Sequence, residues 1–384
     1  MTYNLVSVIL TIVVMFIGFL ALEENIKIIN ANTLNVPVTH TQQYTLEFQE
    51  SVAGIQVVEK DNLFIERSVE GFPVLYFRKF STGVCLENEC RPLLIILYWT
   101  VTGRYLGFEL PQGEFLSKTE HEPFVKKEYE ELNKLLSNSY STLANFSLEE
   151  LVEPVTNEEE VDGVSGATRS GILDYCVDGA VFTTYTLWHL VYGDTRRKII
   201  DNTKSEMTPE LLELILESNN KEDRKWALSN SNKFLETSKS IQDKIFDLID
   251  KGDELSGFII EGISQRYLEV DSIQEKFYSE FKTGPFSVKR AIIKKLSQSG
   301  YLTPTVKREL VLSLEKESND RLIGEILDML FSHGITEKEL LRSLTSMLEH
   351  ENIMVSHKTF SYLNGLNIKD REIEKRLKIY LSDK

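Results

Sequence analysis

Six apolar residues mark a regular beat through the second half of the chain: Leu211, Ile241, Ile273, Val306, Leu340 and Ile373. The steps between them are 30, 32, 33, 34 and 33 residues. Each sits in a segment with helical apolar spacing: TPELLELIL, SIQDKIFDLID, SIQEKFYSEFK, TPTVKRELVLSL, TEKELLRSLTSML and DREIEKRLKIYL. Second helices such as SGFIIEGISQRYL, SVKRAIIKKLSQSG and DRLIGEILDMLFSHG lie between them. A helix pair of this size cannot bury its apolar face alone, so recurrence forces neighbouring pairs to stack. The spacing predicts an all-α solenoid over 205–384. Thr208-Pro209 and Thr303-Pro304 fit an N-cap followed by proline in the first helical turn.

The period is short for HEAT repeats and close to that of tetratricopeptide repeats, but the aromatic pattern of the latter is missing. The segment therefore resembles HEAT-like repeats, which implies a rigid spacer or a docking surface for a protein partner. His333, His350 and His357 are scattered along it with no metal-ligand spacing.

The 384 residues carry 43 Lys and Arg against 59 Asp and Glu, a formal charge of −16. That length corresponds to about two or three domains. The apolar fraction of 42% is sufficient for real cores. The acidic balance argues against nucleic acid, which demands a cationic face to replace counterions. It argues equally against a basic patch docking on anionic lipid. Three cysteines exclude a disulfide-dense scaffold.

The run from Leu5 to Leu22, LVSVILTIVVMFIGFLAL, holds 18 residues without a charge. It is long for the apolar part of a signal peptide, and no A-x-A-like site stands out near Ala21. Residues 1–22 are read as an N-terminal transmembrane helix, an uncleaved anchor with the body outside the cytoplasm, with a cleaved signal as the alternative. Residues 23–43 contain Pro37 and lack a helical stripe, and are read as a tether.

From Tyr44 to Phe115 the chain reads as strands: TLEFQE, IQVVEK, FPVLYFRKF, PLLIILYWT and RYLGFEL. Thr102-Gly103 predicts a tight turn between the last two. HEPFVKKEYEELNKLLSN then reads as a helix, with Tyr129, Leu132, Leu135 and Leu136 on one stripe. Strands followed by helices predict an α+β domain over 44–200.

Within that domain Asp162-Gly163-Val164-Ser165-Gly166-Ala167-Thr168 forms a loop of mostly small residues, read as leading into an apolar helix from about Arg169 to Val191. Small residues let a backbone approach a ligand closely, and a helix start favours a phosphate. Ser165 and Thr168 are good helix caps, the plain structural reading. The string D-x-x-S-G-A-T resembles the flavinylation motif of the periplasmic FMN-binding domain family, which includes subunits of sodium-pumping NADH:quinone reductase and of Rnf complexes. The resemblance implies an α+β FMN-binding-type domain with FMN held by a phosphoester to Thr168. It implies Asp162, Ser165, Gly166 and Ala167 as the binding and recognition loop, and a flavin transferase as maturation partner. Family members often continue T-S after the motif threonine, whereas Arg169-Ser170 follows here. The resemblance spans about residues 70–195 and is sharp over the seven motif residues.

Cys85 and Cys90 flank LENE at a spacing that admits a small disulfide in an extracytoplasmic setting, with a redox-active or metal-binding pair as the second reading. Cys176 reads as a buried small hydrophobe. Tyr185, Trp188, His189 and Tyr192 cluster on the motif helix; they are read as packing against the sheet, with stacking on a flavin ring as the second reading. His121 reads as a turn or cap residue. No G-x-S-x-G or H-E-x-x-H string supports a hydrolase. The sequence thus predicts an extracytoplasmic flavoprotein anchored in the cell membrane through Leu5–Leu22. It would be an electron carrier rather than an enzyme with its own substrate. The alternative is an anchored scaffold that uses its helical repeats and keeps a vestigial FMN-binding domain.

Overall fold

The computed structural model describes residues 25–30, 34–52, 55–82, 93–118, 122–147, 174–249, 254–366 and 368–382. The chain divides into two compact units, Met1–Met207 and Thr208–Lys384.

The first unit is built on one sheet of six strands: β1 (Ile26–Ile29), β2 (Val38–Val52), β3 (Ile55–Ser68), β4 (Pro73–Thr82), β5 (Leu93–Thr100) and β6 (Tyr105–Leu110). All neighbouring pairs are antiparallel, in the order β1-β6-β5-β4-β3-β2. Period-two alternation explains which face is covered. Along β4, Tyr76, Arg78 and Phe80 are buried, whereas Lys79 and Ser81 are exposed. Thr102-Gly103 does lie in the β5–β6 turn, where Gly103 takes φ +77° and its N–H donates to Thr100 O at 3.0 Å.

The helices of this unit are α1 (Lys126–Leu136), α2 (Val181–Tyr192) and α3 (Asp194–Ser205). They tie to the sheet by specific bonds. Trp99 Nε1 on β5 donates to Val191 O at 2.9 Å. Tyr76 Oη on β4 lies 3.1 Å from Thr203 Oγ1 and accepts from Asn202 Nδ2 at 2.9 Å. Tyr105 Oη on β6 donates to Asn133 Oδ1 of α1 at 3.1 Å.

Two local readings change. Residues 26–29 and 38–43, taken as tether, are strand. β1 pairs with β6 opposite Gly107, where an added Cβ would stand 2.0 Å from Ile28 O, so the absent side chain makes room for the extra strand. The helix expected from Arg169 begins at Val181. Residues 174–180 form turns, closed by Ala180 N–H donating to Val177 O at 2.9 Å with Gly179 at φ +68°. Thr184 Oγ1 accepts from Val177 N–H at 3.2 Å and fixes the entry to the helix.

The second unit contains α4 (Pro209–Leu216), α5 (Lys221–Asn230), α6 (Lys239–Asp247), α7 (Glu254–Gly262), α8 (Asp271–Thr283), α9 (Phe286–Leu296), α10 (Pro304–Ser313), α11 (Asp320–Ser332), α12 (Lys338–Leu344), α13 (Ile353–Gly365) and α14 (Arg371–Ser382). They stack in two layers. α4, α6, α8, α10, α12 and α14 meet in succession, and so do α5, α7, α9, α11 and α13. Leu211, Ile241, Ile273, Val306, Leu340 and Ile373 are all buried. Thr208 Oγ1 accepts from Leu211 N–H and Thr303 Oγ1 from Val306 N–H, each cap preceding a proline.

The expected fold class, an FMN-binding-type α+β domain and HEAT-like solenoid behind an N-terminal transmembrane helix, is corrected here. The described fold is one antiparallel six-stranded sheet followed by a run of helices, and no described helix is long and apolar enough to cross a membrane. The longest have 13 residues. At 1.5 Å per residue that is about 20 Å, short of a hydrocarbon core of about 30 Å. Leu5–Leu22 lies outside the described residues.

Candidate functional site

Among the described residues of the first unit, a concave feature forms where α2 turns into α3 beside the edge strand β2. It is a cleft of 440 Å³ lined by Gln49, Ala144, Trp188, His189, Tyr192, Gly193, Asp194 and Arg197. Gly193 makes the corner possible. A Cβ there would stand 2.5 Å from Glu50 Oε2 and 2.7 Å from His189 O, so any larger residue would push the corner away from β2. Asp194 follows in the first turn of α3, where a carboxylate complements the helix dipole. Its Oδ2 accepts from Gln49 N–H at 2.9 Å, and its Oδ1 pairs with Arg197. An edge-strand donor is thereby satisfied by a side chain instead of by another strand.

Aromatic rings form one wall. Trp188 and Tyr192 have centroids 4.7 Å apart, Trp188 and His189 meet edge to face at 5.0 Å, and Tyr185 lies 4.0 Å from His189. Their polar ends are anchored: Trp188 Nε1 donates to Asn138 O at 3.0 Å and Tyr192 Oη to Leu136 O at 2.8 Å. Burial pushes the Tyr192 hydroxyl up to about 12, against the pull of Arg196 and Arg104, so it stays a donor. His189 Nδ1 lies 2.9 Å from Tyr185 O. A carbonyl only accepts, so Nδ1 carries the proton. Burial holds the His189 pKa below its usual value, outweighing that hydrogen bond, and favours the neutral ring. Nε2 is then a lone-pair acceptor, and it has no hydrogen-bond partner among the described residues.

Behind the corner lies a charge cluster centred on the buried Arg78 and Glu50 and reaching solvent at Glu59 and Asp61. Arg78 is fully enclosed and donates to Glu50 Oε1 at 2.7 Å, Glu59 Oε1 at 2.6 Å, Asp61 Oδ2 at 2.8 Å and Thr195 Oγ1 at 2.8 Å. Its guanidinium lies 3.7 Å from the Phe48 ring centroid and 4.5 Å from that of Phe80. Among the described residues Glu50 Oε2 is buried without a partner. The cluster locks β2, β3, β4 and α3 together, and so holds the floor on which Gly193 and Asp194 rest.

The sequence-predicted residues fall differently. Asp162, Ser165, Gly166, Ala167 and Thr168 lie outside the described residues, as do Arg169, Cys85, Cys90 and His121. Cys176 is buried as a free thiol, and desolvation pushes its pKa up to about 11, so it is a poor nucleophile. Tyr185, Trp188, His189 and Tyr192 are brought together on α2. Sequence reasoning missed Gln49, Ala144, Gly193, Asp194, Arg197, Glu50 and Arg78. For Arg78 a signal existed: in FPVLYFRKF it shares parity with Tyr76 and Phe80, so strand periodicity puts it on the inward face. Among the described residues no group of three or more His, Cys, Asp or Glu is placed to hold a metal ion. Comparison with protein-family models and with curated proteins gave no match.

Proposed function

We propose that the chain is an extracytoplasmic flavoprotein that carries FMN covalently on Thr168 and passes electrons between partners. The observation that carries this reading is the string Asp162-Gly163-Val164-Ser165-Gly166-Ala167-Thr168, whose aspartate, serine, glycine, alanine and threonine match the flavinylation motif in identity and spacing. A flavin transferase is the maturation partner it implies. The uncharged run Leu5–Leu22 supports export of the body to the extracytoplasmic side of the cell membrane.

The described residues fit such a cofactor. The first unit offers a cleft walled by Trp188 and Tyr192, and its 440 Å³ falls within the usual range for small-molecule sites. A bound flavin would supply the redox chemistry, while the protein supplies attachment, orientation and surroundings. Thr168 contributes the ester oxygen; Ser165, Gly166 and Ala167 permit close approach to the phosphate. The helical unit is assigned to protein docking, the use to which stacked helix pairs lend their extended surfaces.

The test is direct. The exported chain is produced together with a flavin transferase, denatured, and examined for fluorescence and an FMN-sized mass gain that stay with the polypeptide. The adduct is expected in the wild-type chain and lost in Thr168→Ala. A wild-type chain without adduct, under conditions that flavinylate a control protein, overturns the reading.

A further inference from the structure

We infer that the cleft between α2, α3 and the β2 edge is a binding site for a planar aromatic ligand that donates a hydrogen bond, with His189 Nε2 as the acceptor. Three observations carry it. The wall is built of rings whose polar ends already point to protein partners: Trp188 Nε1 to Asn138 O and Tyr192 Oη to Leu136 O. Trp188 is buried behind the Tyr192 and His189 rings, so what remains for a ligand is the open part of these half-buried rings, which suits a flat aromatic body. Among the described residues His189 Nε2 has no hydrogen-bond partner, whereas Nδ1 is occupied by Tyr185 O. An acceptor selects a ligand with a ring N–H or a phenolic O–H over one that presents only carbonyls. The corner at Gly193 keeps the space open, because it tolerates no side chain and Asp194 ties it to Gln49 N–H. Gln49 and Ala144 form the exposed rim.

Two sources offer this chemistry: a flavin ring tethered to the chain, or a diffusible ring such as a quinol. Only the identity of the tethered ring rests on the flavin reading; the site itself does not require it. The probes are lumiflavin, which has the tricyclic ring and its N3–H but no phosphate, and its N3-methyl derivative. They are titrated into the Thr168→Ala chain, which has no tether, and binding is followed by fluorescence quenching. Saturable binding of lumiflavin with one site per chain is expected. Ala144→Trp fills the cleft from an exposed turn, and is expected to weaken binding at least tenfold. His189→Phe keeps a ring but removes Nε2; it is expected to weaken lumiflavin about tenfold and leave the N3-methyl derivative unchanged. A circular dichroism spectrum matching the parent confirms that each variant is folded.

Absence of saturable lumiflavin binding, or an Ala144→Trp chain that binds as well as its parent, overturns the site. Equal losses for both probes in His189→Phe overturn the acceptor assignment. The source is read in a wild-type chain that carries the adduct. Exclusion of added lumiflavin shows that the tethered ring fills the cleft, and undiminished binding shows that the cleft serves a diffusible ligand. A chain with no adduct sinks the flavin reading alone, because the titration is made without it.

Discussion

Charge is used in opposite ways by the two units. In the sheet unit a single guanidinium, Arg78, is fully enclosed and gathers Glu50, Glu59 and Asp61 together with Thr195, which lies 117 residues further along the chain. In the helical unit four ion pairs link positions one step of the stack apart, each with at least one member exposed to solvent. Lys221 pairs with Glu254, Lys276 with Asp243, Arg290 with Glu325 and Arg342 with Asp370, at separations of 33, 33, 35 and 28 residues. The contrast teaches where stability is concentrated. A buried pair that loses one member leaves uncompensated charge in a low-dielectric interior, whereas an exposed pair is screened and nearly neutral in net effect. The sheet with its covering helices depends on a few long-range locks; a stack of helices depends on many equivalent local contacts.

The comparison breaks first at Arg78. Arg78→Met is expected to destabilise the sheet unit by about 3–5 kcal/mol, read as an early urea transition, while the transition of the helical unit stays in place. Arg290→Met, the matched change on the surface ladder, is expected to leave both transitions where they are. Equal shifts for the two variants would show that the distinction between locks and rungs is wrong.

Next comes the corner of the cleft. Gly193→Ala drives a Cβ toward Glu50 Oε2 and His189 O, and is expected to cost about 1–3 kcal/mol through overpacking. The helical unit has a counterpart in Gln274, a buried amide that bridges adjacent steps. Its Nε2 donates to Leu268 O and Tyr301 O, and its Oε1 accepts from Thr303 N–H. Gln274→Leu strands those buried groups, and an expected loss of about 1–3 kcal/mol is confined to the second transition. The N-cap change Thr208→Ala should cost about 1 kcal/mol, the smallest of the substitutions that have an effect.

The last prediction concerns pH and belongs to the sheet unit alone. The folded pKa of His189 is depressed by burial, so the unfolded chain binds more protons once the pH falls below the usual histidine value of about 6.5. Stability at neutral pH carries no penalty from this group, and the penalty grows as the pH falls toward the folded value. His189→Phe is therefore expected to flatten the loss of stability between pH 7.5 and pH 5, measured by urea unfolding. A parallel pair of curves would mean that His189 is not held neutral.

Much of the secondary structure could be read from short patterns. Alternation in β2, where Thr41, Gln43, Thr45, Glu47 and Gln49 face out, is visible in the string itself. So is the cap before Pro209. The start of α2 was missed although Asp178-Gly179 is a turn signal, because the apolar residues on either side suggested one continuous helix. β1 was missed because four residues flanked by polar chain carry too little periodicity, and its place depends on Gly107 across the sheet. The motif Asp162–Thr168 was legible as a string, whereas the cleft was not.

The reason is one of range. Spacing within a helix or strand is a local property, so the sequence determined the anchors from Leu211 to Ile373, the alternating faces of the strands and the aromatic string of α2. A cleft is a meeting of distant segments. Gln49 faces Asp194 across 145 residues, and Glu50 comes against Gly193. Only the tertiary structure decided those contacts, because they depend on which strand forms the edge of the sheet and which helix folds back over it.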